Sequence, residues 1–418
     1  MQEATAYLTV LVTLGLVVTR PRIGPVFRIT PAISAVAGVL FMFGLGIVKP
    51  HHWVMAVTNL WSPFVALVAI MVITEVARRA GLLEWWASII EARATSTSRL
   101  LLLVFGLGVL TSTAFNNDAA ILLLTPVVVA LVQHRYPGRP DMVPLFAFAI
   151  FLSAGVAALP VSNPMNMVVA EFLHIGFNEY ARHMIPVAIA GWAIAFVLLR
   201  LVFARQIAVP IKVIATSVPR STRVQRMMMV LLFCVLVSYP LFGSMGWPVW
   251  AVAGAGALFS FVLARGEMKI NPSELLRTGV SWETLVFLLA VLMMSFGLRD
   301  VGLVDRLAAL YRESGFVMVG VASAIGSALL NNHPMSHLNM MALETVTPTS
   351  NLGVFAALVG GDLGPRLLPM GSLAGLIWIE MLRRSGVDIS VGRFALIGLI
   401  IAVPTIAASL LILSLYSF

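Results

Sequence analysis

Four polar clusters interrupt long apolar stretches of this chain, and they hold the side chains best suited to chemistry. The clusters lie at 116–118, 162–166, 331–334 and 369–372. Their asparagine amides both donate and accept hydrogen bonds, so they can recognise an uncharged, hydroxyl-rich solute. Asp118 and His333 titrate, and an ionisable group deep in an apolar stretch needs a partner, a proton or a function. We interpret these two residues as a proton-coupling pair.

A simpler alternative stays open for the same residues. Asn and Asp often cap the starts of helices, where a side-chain oxygen accepts a bond from a free backbone N–H. A neutral histidine can likewise hydrogen-bond inside a helical bundle without carrying a proton. For Asp118 the functional interpretation is favoured, because an amide could cap a helix without the cost of a buried charge.

The composition of the whole chain excludes an ordinary soluble protein. Of its 418 residues, 60% are hydrophobic and only 11% are charged. A helix that crosses the hydrocarbon core needs about 20 apolar residues, so the chain has room for about ten to thirteen crossings. The single cysteine, Cys234, excludes an internal disulfide and a cysteine-based metal cluster within one chain. We predict no metal site and no cofactor.

Eight apolar runs have the length of one plain crossing. They lie near 5–19, 31–48, 55–77, 184–204, 227–243, 249–264, 281–298 and 394–416.

The polar clusters fall inside four longer apolar regions. The regions 100–132 and 316–346 are too long for one perpendicular helix and too short for two, so each is predicted to be a re-entrant hairpin with a sheltered polar tip. The regions 142–175 and 352–382 are predicted to be full crossings with unwound centres. The total is about ten crossings with two hairpins.

The net charge of +9 is interpreted as a topology signal, and no nucleic-acid partner is predicted. When the segment 20–28 is placed in the cytoplasm, 20 of the 27 Lys and Arg residues fall in cytoplasmic loops and five in external loops. This imbalance places both termini outside.

Two short segments of similar sequence indicate an internal repeat. Gly81-Leu82-Leu83-Glu84 resembles Gly302-Leu303-Val304-Asp305, and a hairpin and a broken helix follow each copy. With five crossings in each half, the second half has the opposite orientation in the membrane to the first. This is the inverted-repeat architecture of secondary transporters. We therefore predict an all-α polytopic membrane protein with a first repeat at 1–204, a cytoplasmic linker at 205–226 and a second repeat at 227–418.

Three further groups of polar residues are interpreted locally. Glu75 is predicted to pair with Arg78 and Arg79 at a helix end. Asp362 and Arg366 are four residues apart and are predicted to form a helical ion pair, with a gating role as the open alternative. His51 and His52 are interpreted as solvated loop residues, because two histidines offer too few ligands for a metal site.

At its interrupted helices the chain resembles the ArsB family of arsenite and antimonite efflux permeases, within the ion transporter superfamily. The resemblance rests on residues 115–126 (FNNDAAILLLTP) and 361–374 (GDLGPRLLPMGSLA), with 162–166 (SNPMN) and 331–334 (NNHP) in agreement. It extends from about residue 30 to the C-terminus. The sequence departs from the family pattern at His333 and His337, where apolar residues are expected.

The resemblance implies export of arsenite and antimonite across a bacterial or archaeal cytoplasmic membrane. It implies proton antiport, an elevator-type motion of the hairpins and broken helices against the other helices, and in some systems an arsenite-stimulated ATPase subunit. By matching position, the substrate-binding residues are Asn116, Asn117, Asp118, Asn163, Asn166, Asn331, Asn332 and Ser372.

Two functions from other classes serve as alternatives. A sodium/proton or sodium-coupled anion carrier on the same scaffold would need several oxygen ligands around the cation. A membrane-embedded enzyme is the other alternative, and no His-Glu-x-x-His motif or Ser/His arrangement at helical spacing supports it.

Overall fold

The computed structural model describes residues 2–23, 27–212, 218–346 and 351–416, and most of them are helical. The helices are α1 (Gln2–Thr19), α2 (Pro31–Gly44), α3 (Pro50–Arg79), α4 (Leu82–Arg93), α5 (Thr97–Ala114), α6 (Asn117–Arg135), α7 (Val143–Ser153), α8 (Pro164–Phe172), α9 (Phe177–Val202), α10 (Ala204–Ile207), α11 (Arg223–Gly243), α12 (Val249–Glu267), α13 (Pro272–Gly279), α14 (Trp282–Asp300), α15 (Leu303–Glu313), α16 (Phe316–Leu330), α17 (Asn332–Val346), α18 (Leu352–Leu363), α19 (Leu373–Arg384) and α20 (Val391–Ser414). Four 3₁₀ turns lie at Pro140–Met142, Pro160–Ser162, Gly364–Arg366 and Pro369–Gly371, and a two-residue antiparallel ribbon joins β1 (Arg22–Ile23) to β2 (Phe27–Arg28).

Nine of these helices, all within the described ranges, are long and apolar enough to cross a membrane. They are α1, α3, α5, α6, α9, α11, α12, α14 and α20. The predicted class, an all-α polytopic membrane protein, is therefore confirmed.

Each of the eight predicted plain crossings coincides with a helix, and the largest differences are at α3 and α9, which start five and seven residues earlier than predicted. The helix α3 begins at Pro50, because proline suits the first helical position and the Lys49 backbone N–H donates to Nδ1 of His52 at 3.1 Å. The helix α9 begins at Phe177, and Glu179 in its first turn is favourable near the positive end of the helix dipole. Cutting the helices at charged residues had shortened both.

Each predicted hairpin region folds as two consecutive helices, but α5 and α6 are each long enough to cross a membrane, so re-entry stays a prediction. In the first, α5 and α6 are joined through Phe115 and Asn116, and the pair runs from 97 to 135 rather than 100 to 132. In the second, Asn331 alone joins α16 to α17, with a positive φ of 80° that asparagine tolerates better than most residues. The second hairpin starts and ends where it was predicted.

The two broken helices are present as well. The first consists of α7 and α8, separated by residues 154–163, and the second consists of α18 and α19, separated by residues 364–372. In both, a 3₁₀ turn beginning with proline precedes the second half. Such turns leave backbone groups free near the ligand, as interrupted helices do in carriers.

The same series of elements occurs twice. A long helix, a short helix, a hairpin, a broken helix and a second long helix follow one another from α3 to α9 and again from α14 to α20. Both short helices, α4 and α15, were missed by the crossing scheme because they are too short to span. Each begins after a glycine in the left-handed region, Gly81 at φ 67° and Gly302 at φ 87°, which explains the repeated sequence around those glycines.

Packing between the halves is reciprocal. The helix α2 packs on α14 and α12 packs on α3, while α9 packs on α20. Exchanged pairs of this kind are what a pseudo-twofold relation between two repeats produces, as in inverted-repeat carriers. The division at 204 and 226 stays a prediction, and residues 213–217 of the predicted linker lie outside the described residues.

Candidate functional site

A cavity of about 290 Å³ lies among α3, α6, α14 and α19. At its mouth Ser281 and Glu283 are exposed, and at its inner end Phe287 is fully buried. The polar side chains among its lining residues are those of Arg20, Thr74, Glu75, Asn116, Asp118, Ser281, Glu283 and Thr284.

Three of the four interrupted helices direct their N-termini towards this cavity. The starts of α6, α8 and α19 contribute Asn116, Pro164 and Leu373 to its wall. The N-terminus of a helix carries free N–H groups and a positive partial charge, so these three ends can hold hydroxyl oxygens or an anion.

The capping alternative is confirmed for Asn116, and the same kind of bond occurs at the other two helix starts. Asn116 Oδ1 accepts from the Ala119 N–H at 2.7 Å, and Ser372 Oγ accepts from the Gly375 N–H at 3.0 Å. Asn163 Oδ1 accepts from the Met165 N–H at 3.0 Å. Capping and site formation are therefore not alternatives, since the caps fix the helix ends that line the cavity.

Asp118 occupies the first turn of α6 and is half-buried in the cavity wall. With the described residues it forms no salt bridge and no side-chain hydrogen bond. Neighbouring Asn117 is buried, and its Oδ1 has no hydrogen-bond partner in the described part of the chain. The carboxylate of Asp118 is thus available to a proton or a solute.

The tip of the second hairpin lies apart from the cavity wall. His333 is buried and packs edge-on against Phe287, with ring centroids 5.6 Å apart. Phe287 in turn lines the cavity that contains Asp118. The substrate-binding residues implied by the resemblance come from all four interruptions, whereas in this conformation three interruptions line the cavity and the fourth is separated from it by the ring of Phe287.

Hydrogen bonds at that tip define the protonation of His333. Its Nδ1 lies 2.8 Å from Asn332 Oδ1 and 3.1 Å from Asn331 Oδ1, and both of these atoms are acceptors. Asn331 Oδ1 also accepts from the His333 backbone N–H at 3.2 Å, which fixes its orientation. Neutral His333 therefore carries its proton on Nδ1 and presents a lone pair at Nε2.

A buried hydrogen-bond network joins the two broken helices. The carboxylate of Asp362 accepts from Asn163 Nδ2 at 2.6 Å, from Asn166 Nδ2 at 3.0 Å and from the Ala157 N–H at 2.9 Å. Tyr180 accepts from Asn166 Nδ2 at 2.7 Å and donates to the Ala157 carbonyl at 3.1 Å. In this conformation the amide nitrogens of both predicted substrate residues, Asn163 and Asn166, bind Asp362 rather than lining the cavity.

The predicted ion pair between Asp362 and Arg366 is wrong. The helix α18 ends at Leu363, and the following 3₁₀ turn carries Arg366 away from the i+4 position of a continuous helix. The Arg366 guanidinium instead donates to the Ala154 carbonyl and lies over the Phe151 ring, 4.2 Å from its centroid.

The predicted pairing of Glu75 is confirmed, and the residue also lines the cavity. Its carboxylate accepts from Arg78 and Arg79 at 2.7 Å. Sequence reasoning missed the cavity residues Phe287 and Glu283 and the network residue Tyr180. No local pattern marks Phe287 or Tyr180, and Glu283 has the ordinary signature of an acidic residue in a first helical turn.

The prediction for His52 is wrong, because it lies in the first turn of α3 and is fully buried. Ligand atoms of His51, His52 and Asp300 lie within 4.8 Å of one another. However, His52 Nδ1 accepts from a backbone N–H, so Nε2 carries the proton and faces Asp300 at 3.3 Å. Lys49 Nζ lies 2.8 Å from the same carboxylate. This arrangement is an ion cluster in which His52 offers no free lone pair to a metal.

Comparisons with known proteins agree with this architecture. The family model ArsB, arsenical pump membrane protein, matches residues 5–417. The arsenical pump membrane protein of Escherichia coli strain K12 is 30% identical over 399 residues, covering 91% of this chain and 92% of the relative. That of Yersinia enterocolitica is 30% identical over 424 residues, covering 96% of each.

Among solved structures, the Alcanivorax borkumensis YdaH transporter, reported to have an unusual topology, matches with a TM-score of 0.60 at 16% identity. The match covers 100% of this chain and 98% of the transporter, and it shows a shared fold. A multi-pass protein of the cytoplasmic membrane, as the sequence predicted, agrees with both comparisons. Two full-length relatives and a family model that spans nearly every residue show that the chain belongs to the ArsB family of arsenical pump membrane proteins.

Proposed function

We propose that this protein exports arsenite, and antimonite, from the cytoplasm in exchange for protons. The observation that carries the proposal is the cavity in which three helix N-termini meet a carboxylate that forms no salt bridge with the described residues. Membership of a family of arsenical pumps supports the substrate class and a transport function rather than an enzymatic one.

The chemistry of arsenite suits such a site. Near neutral pH arsenite is largely an uncharged triol, so hydroxyl groups and not a net charge have to be recognised. Backbone N–H groups at the helix starts and the amide of Asn116 supply donors, and Asp118 supplies an acceptor. The single cysteine, Cys234, lies on α11 outside this cavity, so binding does not use a set of thiolates and stays reversible.

Orientation supports export. The cavity opens beside Arg20, Glu75 and Glu283, at the ends of α1, α3 and α14 that adjoin the basic loops. Basic loops face the cytoplasm in membrane proteins. The described conformation is therefore interpreted as the state that takes up substrate from the cytoplasm.

Asp118 and His333 would couple the export of arsenite to the movement of protons. In the outward-open state a proton from outside binds Asp118, or the Asp118/His333 pair, and displaces the triol. After the return to the inward-open state the proton leaves through the cavity mouth. The lone pair at His333 Nε2 and the Asp118 carboxylate, which forms no salt bridge with the described residues, are the two acceptors that support this step.

An elevator-type movement is part of the proposal. The Asp362 network ties the two broken helices together, and Asn331 Nδ2 donates to the Met370 carbonyl at 3.3 Å, which ties the second hairpin to the second broken helix. These parts would move as one body against a scaffold that includes α3 and α12, which pack on each other.

The test is arsenite uptake into everted vesicles with an imposed pH gradient. We expect the gradient to accelerate uptake and a protonophore to abolish the acceleration. An Asp118→Asn, His333→Gln double variant should lose the response to the gradient, and persistence of that response would overturn the coupling assignment. Dependence on sodium at fixed pH would favour the sodium-coupled alternative, and insensitivity to the gradient with dependence on ATP would favour an ATPase-driven pump.

A further inference from the structure

His337 is a second buried histidine on α17, one helical turn beyond His333. The accessible fractions of the two side chains are 0% and 3%. Residues four apart on a helix lie on the same face, with side chains close enough to interact. His337 therefore follows His333 along the face of α17 that starts at the hairpin tip.

Three ring nitrogens of this pair lack a protein partner. Neither Nδ1 nor Nε2 of His337, nor Nε2 of His333, has a hydrogen-bond partner among the described residues. Buried polar atoms in proteins are almost always paired with protein groups or with ordered water. A buried imidazole with both nitrogens unpaired by protein is therefore a site for a bound polar molecule.

The remaining neighbours do not supply a partner. The helices that pack against α17 are α8, α14, α15, α16 and α18. Their titratable residues are Glu171 on α8, Glu283, Arg299 and Asp300 on α14, Asp305, Arg306, Tyr311, Arg312 and Glu313 on α15, and Asp362 on α18, while α16 has none. Of these, Tyr311 donates to Asn339 and Asp362 accepts from the first broken helix, and none of the ten hydrogen-bonds or ion-pairs with His337.

Space for water exists where α17 meets α14. A void of about 20 Å³ is lined by Phe287 and Ser295 of α14 and by Pro334 of α17. A single water needs about 10–15 Å³ of such volume. The volume of one water molecule is therefore present beside Pro334, the residue that follows His333.

We propose that His337 is a further proton-carrying residue of the transporter, joined through water to Nε2 of His333, so that the two imidazoles share the transported proton. This inference rests on the proposed proton antiport. When His337 is doubly protonated, one of its N–H groups gives a proton to the bridging water and keeps the electron pair on nitrogen. The water gives one of its own protons to the lone pair of His333 Nε2. One proton has then moved along α17, and the water is regenerated.

The hairpin tip is built to receive that proton. Once Nε2 is protonated, the positive ring keeps its Nδ1–H donor to Asn332 Oδ1, so no hydrogen bond is broken. The two asparagine oxygens then stabilise the charge. In this scheme Asn331 and Asn332 position the proton acceptor, and His337 exchanges protons with it.

The experiment separates proton coupling from substrate binding. In proteoliposomes, arsenite exchange at equal pH needs no net proton movement, whereas uphill flux driven by a pH gradient does. We expect His337→Gln to keep exchange close to the wild-type rate and to lower gradient-driven flux by about tenfold or more. The matched control is His134→Gln, which removes an exposed histidine at the end of α6 and should leave both rates unchanged.

A measurement without transport tests the pair directly. The chain has seven histidines, so nuclear magnetic resonance of histidine-labelled protein can follow each ring through a pH titration. Replacing His333 by Gln should shift the titration of His337, and replacing His337 should shift that of His333. Independent titrations, or equal losses of exchange and driven flux in His337→Gln, would overturn the inference. Wild-type protein without any gradient-driven flux would instead refute proton antiport, and linked titrations would then still establish the pair.

Discussion

The two carboxylates of the site region, half-buried Asp118 and buried Asp362, have opposite environments. Asp118 has no salt bridge within the described chain and faces a cavity, whereas Asp362 accepts three hydrogen bonds from the other broken helix. A carboxylate with three donors is held in one position, and one without donors is free to exchange a proton or bind a solute. The sequence marks both as acidic residues at membrane depth, but only the fold distinguishes the carboxylate with three donors from the one without a donor among the described residues.

Asp362→Asn should destabilise the protein. All three partners of the carboxylate are N–H donors, and an amide puts an NH₂ group against one of them. Asn163 cannot turn its amide in response, because its Oδ1 caps α8. An unsatisfied buried donor costs about 1–3 kcal/mol, which should appear as a lower melting temperature in detergent.

The control for this variant is Asp388→Asn. Asp388 pairs with Arg383 at 3.4 Å, and both side chains are largely exposed. Such surface pairs contribute about 0–1 kcal/mol, so the melting temperature should barely change. Equal melting temperatures for the two variants would show that the Asp362 network does not stabilise the fold.

At the scale of elements, the sequence predicts most of what is seen. The hairpins and broken helices could be placed because an apolar run and a polar interruption leave few ways to satisfy backbone groups in lipid. The Asp362 contacts could not, since Asn163 and Asp362 are 199 residues apart and no local pattern links them. Phe287 is equally hidden, because a buried phenylalanine in an apolar helix resembles any other core residue.

Ser372→Ala tests whether a capped helix start serves transport as well as stability. Loss of the cap of α19 should cost about 1 kcal/mol and loosen the helix end that lines the cavity. Ser390→Ala removes the same kind of cap from α20, where Ser390 Oγ accepts from the Arg393 N–H at 3.2 Å and neither residue lines the cavity. We expect similar losses of stability but a raised KM for arsenite only in Ser372→Ala. A raised KM in both variants would contradict a local role.

Gly360 controls how closely the second hairpin approaches the second broken helix. A Cβ at this position would lie 2.2 Å from the Gly320 carbonyl oxygen and 2.7 Å from the Ala324 nitrogen, both on α16. Gly360→Ala should therefore force the backbones apart and cost about 1–3 kcal/mol. Gly254→Ala, on α12 with open space around it, should be neutral or stabilising in the same thermal assay. An unchanged melting temperature in Gly360→Ala would show that the two helices separate freely, which would weaken the elevator proposal.

At the scale of the whole molecule, charge distribution and cavity position agree. Cytoplasmic loops hold 20 of 27 basic residues in the predicted topology, and the cavity opens at helix ends next to those loops. Phe287 closes its inner end, and beyond that ring lies the small void lined by Leu298 near the opposite end of α14. The ring of Phe287 thus lies between the cytoplasmic cavity and this small void.

This orientation predicts which side of the membrane reaches the cavity. After Cys234→Ser removes the native thiol, an Ala119→Cys variant places one thiol in the cavity wall, beside Asp118. A membrane-impermeant maleimide should modify it in everted vesicles and not in right-side-out vesicles, because the cavity opens to the cytoplasm. Lys49→Cys on the opposite side should show the reverse pattern, which checks vesicle orientation and the predicted topology together. If protonation drives the cavity to open to the outside, an inward pH gradient should reduce modification of the Ala119→Cys variant. Modification of Ala119→Cys only from the outside of the membrane would overturn the assigned orientation.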